Sequence, residues 1–184
     1  MKLPKTINIL DDCHKILRTK SEDVTFPLDE DTKSLINDAL LYLEMSQIEE
    51  ERLKYDLRAG MGLSFIQLGI PKKIFVVSED LGDFKFKRHI IINPIIKAKS
   101  EELVFVGEGE GCLSVNRDID GIVPRHARIT IEAYDENGNL FTTRVREDMA
   151  ICYQHELDHL DGILFQDKID KKNPYKNQEL MREI

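Results

Sequence analysis

Residues 154–159 read Q-H-E-L-D-H. His155 and His159 are four apart, a spacing that returns both imidazoles to one face of a helix, where both can bind one metal ion. Glu156, between them, stands where a general base is needed. A catalytic site of the zinc type wants three protein ligands and an open position for water, so the histidine pair is one ligand short. A cysteine far upstream, Cys112 in E-G-C-L-S at 110–114, offers a thiolate.

Three schemes for the third ligand can be set against the chain. An extended H-E-x-x-H-x-x-G-x-x-H pattern matches through Gly162 but meets Phe165 where the last histidine belongs, and fails. A thermolysin-like scheme wants a glutamate about twenty residues past the second histidine; Glu179 falls there, in a polar tail beyond Pro174 with no apolar helix to bring it back. The third scheme uses Cys112. Its setting, G-E-G-E-G-C-L-S, is small and flexible, so backbone can approach an ion closely with amide groups pointing inward. The surroundings of the histidines argue for a buried helix, because Met149, Ile151, Cys152 and Tyr153 precede them and Ile163, Leu164 and Phe165 follow. Buried imidazoles and a carboxylate need partners, and an ion supplies them; a hydrogen-bonded core cluster is the weaker alternative. Cys13 and Cys152 read as buried small hydrophobes, with Cys152, three residues before His155, at the wall of the site. Gln154 and Asp158 are placed to orient the imidazoles, an exposed helix acid being the equal alternative for Asp158. His14, His89 and His126 have no motif around them and read as surface or structural residues.

The elements that must hold these groups are legible in outline. After an irregular first thirty residues, Asp29 is a candidate N-cap, with Glu30 and Asp31 in the first turn. Leu35, Ile36, Ala39, Leu40 and Leu43 follow at helical spacing, which predicts an amphipathic helix over about 30–50 with Glu49–Arg52 as its solvated end. Ile74–Val77, Ile90–Ile92 and Leu103–Val106 read as strands. Ile129, Ile131 and Ala133 alternate with polar residues, as do Phe141, Thr143 and Val145, across an Asn-Gly turn; that is a hairpin. A second helix begins near Glu147 or Asp148, carries the histidines and ends at Gly162. Strands in blocks with flanking helices argue an α+β fold: antiparallel sheets packed around a central helix bearing H-E-x-x-H, plus the N-terminal amphipathic helix.

At 184 residues and 41% apolar content, the chain reads as one domain over 1–184, with a polar tail from about 170. No apolar run spans a bilayer and no leader pattern opens the chain, which points to the cytoplasm and away from membranes. Three cysteines make no disulfide framework. A net charge of −8 disfavours binding nucleic acid across the whole surface, and nothing suggests sequence-specific recognition. Acids interleave with the tail lysines Lys168, Lys171, Lys172 and Lys176, which reads as a solvated tail; transient contact with ribosomal RNA, where nascent chains emerge, is the alternative.

Three motifs in order, G-M-G-L-S-F-I-Q-L-G at 60–69, E-G-C-L-S at 110–114 and Q-H-E-L-D-H at 154–159, resemble those of the peptide deformylases. The resemblance covers nearly the whole chain and is nearest to the longer form of Gram-positive and mycoplasma-type bacteria. It implies removal of the formyl group from the N-terminal formyl-methionine of nascent polypeptides, with release of formate. It implies a divalent ion on Cys112, His155 and His159, ferrous iron in the cell with zinc or nickel as substitutes. By the family pattern Glu156 moves the proton, while the Gln67 amide and the Leu113 backbone N–H stabilise the oxyanion. Gly60 and Gly62 let an extended peptide lie along the backbone, and Met61, Ile151 and Cys152 wall the methionine pocket. An endopeptidase using Glu179 and an inactive metal-binding or nascent-chain-binding module are the competing readings. One departure stands out: Ser64 and Phe65 replace two alanines usual in the family, and the bulk of Phe65 predicts an altered substrate pocket.

Overall fold

The computed structural model describes residues 2–4 and 7–184. Strand β2 (Ile74–Asp80) organises the molecule, because residues 74–78 are buried throughout and their side chains alternate between two faces. Ile74 and Val76 point to one side, where they pack with Ile36, Ala39, Leu40 and Leu43 of helix α1 (Glu30–Gln47). Phe75 and Val77 point to the other, where they pack with Ala150, Tyr153 and Leu160 of helix α3 (Glu147–Leu160). The run Ile74–Val77, apolar at every position, is what a strand covered on both faces requires. Each such side chain, fully buried, contributes roughly 1.5–3 kcal/mol.

The main sheet has five antiparallel strands in the order β1 (Gly62–Ser64), β2, β3 (Phe86–Lys99), β6 (Arg128–Tyr134), β7 (Leu140–Arg146). β6 shows the alternation read from its sequence, with Ile129, Ile131 and Ala133 inward. Its hairpin partner β7 buries only Val145. A second, smaller sheet has the order β5 (Arg125–His126), β4 (Leu103–Phe105), β8 (Arg182–Glu183). β8 runs parallel to β4, which departs from an all-antiparallel reading. α3 meets this sheet as well, through Ile151 against Val104 and Ala127.

α1 starts where its cap predicts: the Asp29 carboxylate accepts the Thr32 N–H at 2.6 Å. It ends earlier than its pattern suggests. Ile48 turns extended (φ −91°, ψ 115°), and a separate helix, α2 (Glu49–Tyr55), follows with no buried residue. Glu49, Glu50 and Glu51 are not buried, as expected of a solvated end, but they form the first turn of α2 and not the end of α1, and there they favour the helix N-terminus. α3 stops at Gly162, in the left-handed region at φ 74°. A side chain there would meet the Arg18 carbonyl carbon at 2.7 Å. Among the described residues no helix is long and apolar enough to cross a membrane.

Phe65, one residue past β1, is 1% exposed and joins the cluster beneath α1. Phe65→Ala is therefore expected to lower unfolding stability by about 3 kcal/mol, the usual cost of emptying a buried aromatic site. Urea unfolding followed by far-UV circular dichroism checks this; an unchanged midpoint would mean that the ring is not part of the core.

Candidate metal centre

His155 and His159 leave α3 on the same side, their rings 4.9 Å apart and edge to face. Their Nε2 atoms face each other at 3.2 Å. The loop 106–124, which joins β4 to β5, brings the Cys112 Sγ to 3.3 Å from His159 Nε2. All three donor atoms lie within 4.8 Å of one another, and all three residues are buried. Bonds of about 2.0–2.3 Å to a tetrahedral ion place its donors roughly 3.4–3.6 Å apart, close to the spacing here. The donor set of one thiolate and two imidazoles suits a divalent transition metal. Glu179 is exposed, in the short 3-10 turn Gln178–Leu180, and is not part of the cluster. The thermolysin-like scheme fails for that reason.

The electrostatics favour a cation at the centre. The Glu110 carboxylate accepts from His155 Nδ1 at 2.8 Å, which turns Nε2 toward Cys112 and His159. Burial opposes charge on His155, but hydrogen bonds to Cys112 and Glu110 outweigh it and push its pKa up to about 10. Burial, helped by the His155 charge, holds His159 well below the ordinary imidazole value. The opposite shifts reflect how closely the two imidazoles and the sulfur crowd one another out of water.

Glu110 is itself held by Arg125, which is 2% exposed. The guanidinium donates to both Glu110 oxygens, at 2.6 and 2.9 Å, and to Asp158 at 2.5 Å. Lys168 reaches Asp158 at 3.0 Å. Burial opposes the Glu110 charge, yet Arg125 and His155 bring its pKa down to about 2. Neither residue expected to orient the imidazoles does so directly. Gln154 bonds the His126 N–H and carbonyl, tying α3 to β5. Asp158 holds Arg125 and Lys168 instead. The carboxylate on His155 belongs to Glu110, inside the E-G-C-L-S motif.

A cleft of about 370 Å³ opens beside the cluster. Gly60, Met61, Gly62, Gln67, Cys112, Leu113, Ile151, Cys152, His155 and Glu156 all line it; His159 sits behind them, 1% exposed. The cleft also receives Arg58 and Asp148, which sequence reasoning passed over. A signal for Asp148 existed, since positions 148, 151, 152, 155 and 156 form one stripe at helical spacing. Phe65 is not on the cleft wall; its ring turns away, into the cluster under α1. Burial pushes the Cys152 thiol well above its usual pKa, so it lines the cleft as a neutral, apolar group. Cys13, expected to be buried, is exposed in the irregular N-terminal segment.

Gln67 points its amide nitrogen inward. Its Oε1 accepts the Ser64 N–H at 2.9 Å. Its Nε2 lies 3.1 Å from Ser114 Oγ and 3.7 Å from Cys112 Sγ. Burial raises Glu156 above the usual carboxylate range, against the lowering effects of His155 and Ser64. The absent side chains of two glycines make room here. A Cβ on Gly60 would meet Leu113 Cδ1 at 2.7 Å, and one on Gly62 would meet Glu156 Oε1 at 2.6 Å.

The chain is similar to known proteins over most of its length. The family model described as polypeptide deformylase matches residues 6–175. The peptide deformylase of Ligilactobacillus salivarius (strain UCC118) is 47% identical over 171 residues, 91% of each chain. Among solved structures, a plant peptide deformylase superposes with a TM-score of 0.76 at 29% identity, covering 97% of this chain and 89% of its own. The peptide deformylase of Thermotoga maritima gives 0.70 at 29% identity, covering 89% of this chain and 97% of its own.

Because Glu110 fixes the His155 ring, Glu110→Gln is expected to weaken metal retention by roughly 10–100-fold. Competition against a chelator reads this directly, with circular dichroism confirming the fold. Retention equal to the parent would leave the carboxylate with no part in holding the ring.

Proposed function

The chain belongs to the polypeptide deformylase family, and from that premise we propose which of its residues carry out the metal-dependent removal of the N-terminal formyl group from new polypeptides. The observation that carries the assignment is the convergence of Cys112 Sγ with the Nε2 atoms of His155 and His159 beside Glu156, in one cleft. In this reading the three donors hold one divalent ion. When bound, the ion acts as a Lewis acid that makes water a usable nucleophile near neutral pH.

Glu156 takes the proton from the attacking water and passes it to the departing amine. Its raised pKa suits a group that must first accept and then release a proton. The oxyanion that forms as the formyl carbon is attacked draws on the Gln67 Nε2 and the Leu113 backbone N–H. One such donor is worth about 3 kcal/mol of barrier. The Ser64 N–H occupies Gln67 Oε1, so the amide presents its nitrogen and not its oxygen.

β1 is an edge strand, and Gly60, Met61 and Gly62 lie along the cleft. An extended substrate can add to that edge through main-chain hydrogen bonds. The methionine side chain then lies among Met61, Ile151 and the neutral Cys152. The architecture fits this use: a central helix carries H-E-x-x-H between two sheets, and the amphipathic α1 covers the outer face. We take residues 1–184 as one such domain, working in the cytoplasm. A transient ribosome contact would draw on the exposed Lys171 and Lys172, since Lys168 and Lys176 pair with Asp158 and Asp170.

Formate release from a formyl-Met peptide, with an acetylated peptide as control, tests the assignment. The metal-loaded parent should release formate only from the former. Glu156→Ala should be inactive with its metal content intact, and Gln67→Ala should lose about 10²–10³-fold in kcat. No formate from the loaded parent, or full activity in the Glu156 variant, would end it. For the ion we propose ferrous iron, held by an oxidisable thiolate. Activity should then decay in air and return with fresh ferrous salt; full, air-stable turnover of the protein as isolated with zinc would exclude iron.

A further inference from the structure

Position 64 departs from the family's usual alanine, and the structure shows what the added hydroxyl meets. Ser64 Oγ lies 2.6 Å from Glu156 Oε2 and donates to it. The Glu156 main-chain oxygen is a second acceptor, at 3.1 Å. Ser64 is fully buried and Glu156 is 3% exposed, so little water competes for this bond. The other carboxylate oxygen is confined from the same strand. Gly62 lies against Oε1, near enough that a Cβ there would approach to 2.6 Å. β1 therefore touches both oxygens of the carboxylate, one through a hydroxyl and one through a bare Cα.

We propose that Ser64 is a positioning residue for the deformylation reaction in this protein, its hydroxyl fixing the rotation of the Glu156 carboxylate so that Oε1 faces the cleft. Without the hydroxyl, a buried carboxylate turns about its terminal torsion with little restraint, since that torsion is broad and roughly two-fold. With it, one oxygen is occupied and the other is aimed at the water it must deprotonate. The Ser64 N–H fixes Gln67 in the same way, through Oε1. One residue of a short edge strand thus sets the direction of both the proton carrier and the oxyanion donor. The hydroxyl is what the family's usual alanine lacks, while any residue there except proline would supply the N–H.

This rests on Glu156 as the proton carrier, so the test includes Glu156→Ala. Ser64→Ala installs the residue usual in the family and removes only the hydroxyl. Its kcat is expected to fall about tenfold, the size set by one hydrogen bond to a charged group. KM should stay within about twofold and metal content should not change, because neither substrate contacts nor ligands are touched. Ser64→Thr, which keeps the hydroxyl, should retain most of the parent's kcat if it folds; Ser64→Ala alone decides if it does not. An unchanged kcat in Ser64→Ala, a change confined to KM, or loss of the ion would each overturn the proposal. If Glu156→Ala is inactive while Ser64→Ala matches the parent, the positioning role fails and the base survives. If Glu156→Ala is active, the assignment beneath it fails first.

Discussion

The site depends on one buried guanidinium. Arg125 is among the largest side chains fully removed from water, and a charge in that position must be paired and hydrogen-bonded to be tolerated. Its two carboxylate partners come from different parts of the chain. Glu110 lies two residues before Cys112, in the loop; Asp158 lies between His155 and His159, on the helix. By holding both, Arg125 pins the sulfur's loop to the imidazoles' helix and so sets the distance across which an ion can bridge them. Removing one partner of a buried pair typically costs about 3–5 kcal/mol, because the charge left behind has no solvent. The constraint is thus energetic as well as geometric: the loop cannot leave the helix without exposing or orphaning the arginine.

The rest of the fold presents α3 to that loop in one orientation. β2 alternates between α1 and α3, so a one-residue slip of β2 would exchange the side chains meant for each helix. Tyr153, on the face of α3 away from the cleft, packs edge to face on Phe75 and meets His89 Nδ1 at 3.0 Å; Glu79 holds the other His89 nitrogen at 3.0 Å. His89 is therefore structural, as is His126, whose Nδ1 bonds the Ser100 carbonyl. With its back fixed to the sheet and its other side against β5 through Gln154, the helix has little freedom to rotate. The stripe 148, 151, 152, 155, 156 is thereby turned into the cleft.

Much of this was legible because it follows from strong local rules. The Asp29 cap, the alternation of β6, the Asn-Gly hairpin turn and the Gly162 stop each rest on a backbone requirement that one or two residues announce. So does the i, i+4 histidine pair. What escaped the sequence depends on contacts between distant segments. No periodicity separates α1 from α2, because the break at Ile48 is a change of direction inside a run of good helix formers. Two-residue β8 has no pattern to detect, and its pairing with β4 is seen only in three dimensions. In sequence Glu110 reads as part of a flexible glycine-rich loop, and Asp158, beside the histidines, reads equally as an orienting carboxylate or an exposed helix acid. Only Arg125, fifteen residues beyond Glu110 in sequence and thirty-three before Asp158, assigns each carboxylate its place.

The adjacent residues Ser64 and Phe65 show why a sequence departure must be resolved one side chain at a time. They lie where β1 gives way to a 3-10 turn, and their side chains part. Ser64 faces α3 and bonds Glu156; Phe65 faces α1 and fills the core there. Read as a pair, two bulkier residues for two alanines suggest a single change in pocket shape. Read through the backbone, their side chains enter different layers. The apolar replacement is absorbed by packing on the side of the sheet remote from chemistry, and the polar one falls where a single hydrogen bond can reach the proton carrier.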